Sequence, residues 1–100
     1  MDSIEELRKK IDELDLKIVR LLNERASQAV KIGEIKLELG MEAYSPEREA
    51  EVLKNVLSQN MGPLKDPQLR RVYERIIDES RTAERIHMGE RNKEARRKKK

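Results

Sequence analysis

From Ile4 to Leu39 the chain repeats one rhythm. Apolar residues fall at Ile4, Leu7, Ile11, Leu14, Ile18 and Leu21, in alternating steps of three and four, and the pattern resumes at Ile32, Ile35 and Leu39. This is the period of a helix with a single apolar stripe, and no proline interrupts it. The spacing predicts one helix from about Ser3 to Leu39, roughly 36 residues and about 54 Å long at 1.5 Å per residue. A helix of that length needs a partner along its flank, so a bundle or a coiled-coil-like dimer follows.

Gly40 is a plausible C-cap, and Met41 to Tyr44 reads as a short connector. Ser45-Pro46 then carries the signature of a second helix start, with a hydroxyl to cap and a proline whose missing donor would have had no partner. That helix is expected to run to about Gln59. The stretch NMGPLKDP is a loop whose Asp66-Pro67 repeats the start signal. From Gln68 onward Leu69, Val72, Tyr73, Ile76 and Ile77 form an apolar face that continues toward Met88. No strand pattern and no internal repeat is present. The expected fold is therefore all-α, with one helical domain over 3–88 and a basic tail over 89–100 that lacks an apolar face and is expected to be frayed or disordered.

Composition makes self-association a reasonable expectation. There is no Phe or Trp, only two Tyr, and 43% of the residues are charged, so the core is thin. Cysteine is absent, which removes disulfides and thiol chemistry and fits a reducing compartment. No apolar run approaches the roughly 20 residues of a membrane span, and MDSIEELRKK has no signal-peptide core. A soluble cytoplasmic protein with no membrane partner is the expectation. The net charge of +3 is unevenly spread: Gly89 to Lys100 carries seven basic and two acidic residues, which leaves −2 for the preceding 88. A body that grips nucleic-acid backbones is not what this describes.

The informative residues are polar ones on apolar seams. Arg25 and Gln28 occupy the two positions where the stripe of the first helix calls for aliphatic side chains. Lys36, eleven residues after Arg25, returns to within about 20° of the same face, with a rise of about 16 Å. Arg8 lies about 100° off and about 25 Å from Arg25 along the axis, so in a straight helix the two cannot share a small pocket. If Arg8 is functional, another protomer brings it.

In the second helix Glu49 aligns with Val52, Leu53 and Val56, with Arg48 in the same first turn. In the third, Ser80 and Glu84 extend the face of Tyr73, Ile76 and Ile77. Taken singly, each has a plain structural explanation: a salt bridge at a bundle end for an Arg or Glu, a serine bonded to its own backbone, a snorkelling lysine. His87 reads as an exposed residue near the tail, and no metal-ligand spacing occurs. Three helices converging with polar groups, cations in excess, favour an anionic ligand.

The segments ELRKKIDELDLKIVRLLNER, KIGEIK, SPERE and IIDESRTAE, spread between about Ile4 and Ile86, resemble the all-helical chorismate mutases. The resemblance implies a three-helix protomer intertwined as a homodimer, with two sites, each completed by an arginine of the other subunit's long helix. By position, Arg8 of the partner subunit and Arg25 would clamp the two carboxylates of chorismate. Lys36 would reach a carboxylate and the breaking ether oxygen, Glu49 would accept from the ring hydroxyl with Arg48 in support, and Ser80 would touch a carboxylate. No cofactor or metal is implied.

The implied reaction, a Claisen rearrangement to prephenate, needs a compact substrate conformation and cationic donors at the oxygen that gains charge. Two positions depart from the commonest pattern. Ser45 stands where many relatives have aspartate, so its backbone or hydroxyl would supply the contact to the substrate hydroxyl. Glu84 stands where many have glutamine; an ionised carboxylate would repel the developing charge, so Glu84 is expected to work protonated. The competing readings are an isochorismate-pyruvate lyase of the same fold, and a non-catalytic helical interaction or regulatory module.

Overall fold

The structure, a computed structural model, describes residues 2–98. Three helices account for the fold, α1 (Ile4–Leu39), α2 (Pro46–Ser58) and α3 (Asp66–Lys98), and no strand occurs among the described residues.

Local chemistry sets the helix ends. Ser3 and Glu6 form a reciprocal capping box: the Ser3 hydroxyl accepts from the Glu6 amide at 3.1 Å, and the Glu6 carboxylate accepts from the Ser3 amide at 3.4 Å. At the other end Gly40 takes up φ 70°, a left-handed conformation that glycine adopts without steric cost. Ser45 caps α2 and Pro46 occupies its first turn, while Gln59 is the C-cap rather than a helical residue. The third start differs in detail. Asp66 is the first residue of α3 rather than its cap, and its carboxylate accepts from the Asn60 side chain at 2.8 Å.

Contacts between helices fix their directions. Arg25 meets Ser80, Gly33 meets Glu84 and Glu34 meets His87, so the pairs advance together and α1 runs parallel to α3. α2, which joins them in the chain, packs on α3. The result is an elongated protomer of 67 × 28 × 15 Å.

Its interior is thin. Among the described residues the buried side chains are Ile77, which is 7% exposed, Ser80 and Glu84. Residues 2–24 of the amino-terminal arm are all exposed, including the seam residues Ile4, Leu7, Ile11, Leu14, Ile18 and Leu21.

α3 continues past the end of its apolar face to Lys98, where the sequence reading expects a frayed tail from Gly89. The segment is rich in Glu, Arg and Lys, strong helix formers, and contains no proline, so local propensity carries the helix on. Residues 99 and 100 of that tail lie outside the described residues.

Candidate active site

Beside Ile77 the three helices and the first connector enclose a pocket of about 250 Å³. Seven of the eight residues singled out from the sequence line it: Arg25 and Lys36 from α1, Ser45 from the connector, Arg48 and Glu49 from α2, Ser80 and Glu84 from α3. Arg8 does not. It sits on the exposed amino-terminal arm of α1, as its distance along the helix axis requires.

Each polar group is held by a neighbour from another element or by its own helix end. The Arg25 guanidinium donates to the Ser80 hydroxyl at 2.7 Å, joining α1 to α3. Lys36 is mostly buried rather than snorkelling. Its ammonium donates to the Ala43 carbonyl at 2.9 Å and lies 3.3 Å from Glu84 Oε1. That second contact is an ion pair by distance only, because Glu84 Oε1 has no hydrogen-bond partner in this structure. A buried carboxylate oxygen left in that state is costly unless a ligand or a proton completes it.

Gly33 explains how Glu84 comes so close. A Cβ at position 33 would stand 2.6 Å from Glu84 Cγ, so the stem of the Glu84 side chain occupies space that only glycine leaves open. The break in helix propensity at Gly33 therefore has a packing cause.

On the opposite wall the Ser45 hydroxyl accepts from the Arg48 amide at 3.4 Å as the cap of α2. A hydroxyl that accepts in this way still has its own proton to donate. Arg48 turns outward to Glu51, so it is not the residue that supports Glu49 here. That task falls to Arg81, which the sequence reading passed over: its guanidinium donates to Glu49 Oε2 at 2.7 Å and to Asp78 Oδ1 at 3.1 Å. A signal for it existed. Arg81 follows Ile77 by four residues, so it continues one edge of the apolar face of α3. Gln28 also lines the pocket.

The lining contains four cations, Arg25, Lys36, Arg48 and Arg81, and two carboxylates, Glu49 and Glu84, a net of two positive charges with both carboxyls ionised. That is complementary to a small dianion. No Cys or His lines the pocket, and its only hydroxyls are Ser45 and Ser80. Neither serine has a histidine partner there that would activate it as a nucleophile. His87 lies one turn beyond Glu84, half-buried, with Nε2 2.8 Å from Glu34 Oε1; it belongs to the α1–α3 contact and is less exposed than the sequence reading expects. Among the described residues no group of three or more His, Cys, Asp or Glu is arranged to hold a metal ion. None of the helices is long and apolar enough to cross a membrane.

Comparison with known proteins agrees with this geometry. Residues 7–85 match the family model for chorismate mutase type II. The chain is 42% identical over 81 residues to a bifunctional chorismate mutase/prephenate dehydratase of Aquifex aeolicus, an alignment covering 77% of this chain and 22% of that protein. It is 49% identical over 49 residues to a chorismate mutase of Methanocaldococcus jannaschii, covering 49% of this chain and 50% of that one. Among solved structures, form II of chorismate mutase from Thermus thermophilus superimposes with a TM-score of 0.81 at 36% identity, over 84% of this chain and 96% of that chain. The chain thus spans about a fifth of the length of the bifunctional relatives and nearly all of the Thermus chain. With a family match over most of its length and the same three-helix fold, the chain belongs to the chorismate mutase type II family.

Proposed function

We propose that this protein is an isomerase that converts chorismate to prephenate, as a homodimer in the cytoplasm and without a cofactor. The observation that carries the reading is the single pocket in which Arg25, Lys36, Glu49, Ser80 and Glu84 converge with a surplus of positive charge. In this reaction one C–O bond breaks as one C–C bond forms, and six electrons move around a ring without an external nucleophile or base. Catalysis then rests on holding a compact conformer and stabilising the oxygen that gains charge.

Arg25, already oriented by Ser80, presents a planar fork to one substrate carboxylate. Lys36, anchored on the Ala43 carbonyl, keeps further N–H donors for the ether oxygen and a carboxylate. Glu49 accepts the ring hydroxyl, with Ser45 able to donate nearby. Arg48 is free to swing inward from Glu51, because that pair is exposed and weakly held. Glu84 is buried, with one oxygen unsatisfied. That oxygen stands beside Lys36, where a polar group of the bound substrate would complete it.

The uncovered arm of α1 supports the dimer. Six aliphatic seam residues there are each about half exposed or more. Completing their burial against a second copy would contribute on the order of 1 kcal/mol apiece. A partner rod lying along this arm also brings Arg8 of the partner subunit to the pocket, where it supplies the second carboxylate clamp.

The test is to incubate the purified protein separately with chorismate and with isochorismate while following prephenate and pyruvate. The expected result is stoichiometric prephenate from chorismate and no pyruvate from either compound. Arg25→Ala should lower turnover by about 10²–10³-fold, the scale for losing one preorganised donor, while the helical circular dichroism stays unchanged. Pyruvate release, or an absence of turnover, would refute the assignment.

A further inference from the structure

Arg81 is held from three directions. One guanidinium nitrogen donates to Glu49 Oε2 on α2 at 2.7 Å, and the other donates to Asp78 Oδ1, one turn back on α3, at 3.1 Å. Its Cζ lies over the ring of Tyr44, in the connector between α1 and α2, 4.8 Å from the centroid. A planar cation fixed at both nitrogens and stacked on an aromatic ring has little freedom to rotate. It and the Glu49 carboxylate are each about a quarter exposed, so the pair is partly shielded from water at the wall of the pocket.

The consequence lies at Glu49. A carboxylate on the first turn of a helix can adopt several rotamers, and only some of them aim an oxygen into the pocket. The bond from Arg81 takes Oε2 and thereby selects a rotamer, while Oε1 makes no hydrogen bond among the described residues and is left as an acceptor. Arg48, on the same turn as Glu49, pairs with Glu51 instead.

We propose that Arg81 is the positioning residue for Glu49: by holding one carboxylate oxygen between α2 and α3, it aims the other at the hydroxyl of the bound substrate. This rests on the mutase reading above, in which Glu49 accepts that hydroxyl. The hydroxyl is not at either reacting bond, so its contact is made in the ground state and the transition state alike. Losing it should therefore raise KM more than it lowers kcat.

The experiment is a double-mutant cycle in the full-length chain with chorismate as substrate, using Arg81→Met, Glu49→Gln and the pair. Arg81→Met should reduce kcat/KM by about 10–100-fold, mostly through KM, because a carboxylate misaimed by about 1 Å loses on that scale. In the Glu49→Gln background the same substitution should cost less than about threefold, since there is no carboxylate left to aim. Arg81→Lys, which can still pair with Glu49 but cannot also bridge to Asp78, should recover part of the loss.

Equal losses in both backgrounds, or a normal Arg81→Met enzyme, would overturn the role of Arg81 while leaving the mutase reading intact. Wild-type protein that never consumes chorismate would overturn the reading itself and this role with it. Thermal unfolding of every variant is recorded beside the kinetics. If Arg81→Met is unfolded at the assay temperature, Arg81→Lys in the two backgrounds carries the same comparison, and equal losses there overturn the proposal.

Discussion

Replacing Gly33 with alanine separates the packing of the site from its chemistry. The added Cβ would stand 2.6 Å from Glu84 Cγ, whereas ordinary contact begins at 3.4 Å, so one of the two must move by 0.8 Å. The atom in the way is not the far end of a flexible side chain but its middle carbon, and both helices are held on either side by the Arg25–Ser80 and Glu34–His87 contacts. The displacement therefore falls mainly on the Glu84 carboxyl and on Lys36 opposite it.

Two opposing terms act on stability. Alanine gains about 1 kcal/mol of helix propensity over glycine, and overpacking costs typically about 1–3 kcal/mol. The net loss is then about 0–2 kcal/mol, and a fall in Tm of about 4–8 °C per kcal/mol follows for a chain of this size. Activity should suffer more, since a shift near 1 Å in a positioned group can cost about 10²-fold.

The assay is chorismate consumption well below Tm, paired with thermal unfolding in the wild-type and Glu84→Ala backgrounds. Without the Glu84 side chain the clash is gone, so Gly33→Ala should turn from neutral or destabilising to stabilising by up to about 1 kcal/mol. An enzyme with Gly33→Ala and full turnover, or one whose stability change is the same in both backgrounds, would refute this account of why glycine is there.

Three further outcomes are expected. If the exposed seam from Ile4 to Leu21 is covered by a second copy, the unfolding midpoint should rise with protein concentration, and a concentration-independent midpoint together with a monomeric mass in solution would exclude the dimer. If each site takes Arg8 from the partner subunit, mixing inactive Arg8→Ala and Arg25→Ala homodimers, unfolding and refolding them together should restore about a quarter of wild-type turnover, because half the dimers are mixed and each of those keeps one intact site. No recovery on mixing would place Arg8 outside the site. The third concerns Glu84. If its buried carboxyl group faces the reacting oxygen, Glu84→Ala should lower turnover by about 10²-fold, the scale for losing one preorganised contact, with Glu84→Gln retaining more. Full turnover in Glu84→Ala would put the group outside the chemistry.

The elements that the sequence determined by itself are those governed by contacts within a few residues. The capping pair Ser3 and Glu6, the left-handed Gly40 and the Ser45-Pro46 start bound the helices, and the three-four rhythm marks the apolar stripe of each. The same rhythm exposed Arg25, Lys36, Glu49, Ser80 and Glu84 as polar residues on inner faces, because a helical period carries a residue's direction even when its partner is unknown. Resemblance to a family then attached expected roles that periodicity could not supply.

What only the tertiary structure decided are the pairings between helices. Arg25 with Ser80 spans 55 residues and Arg81 with Glu49 spans 32, and such contacts depend on how the helices cross and on which rotamers the crossing allows. The family resemblance made Arg48, on the same turn, the expected support for Glu49. The packing of α2 on α3 instead brought Arg81 across and left Arg48 facing Glu51. Gly33 illustrates the same limit from the other side: a glycine inside a helix shows in the sequence as a local weakness, and only the passage of Glu84 Cγ beside its backbone turns that weakness into the space the site needs.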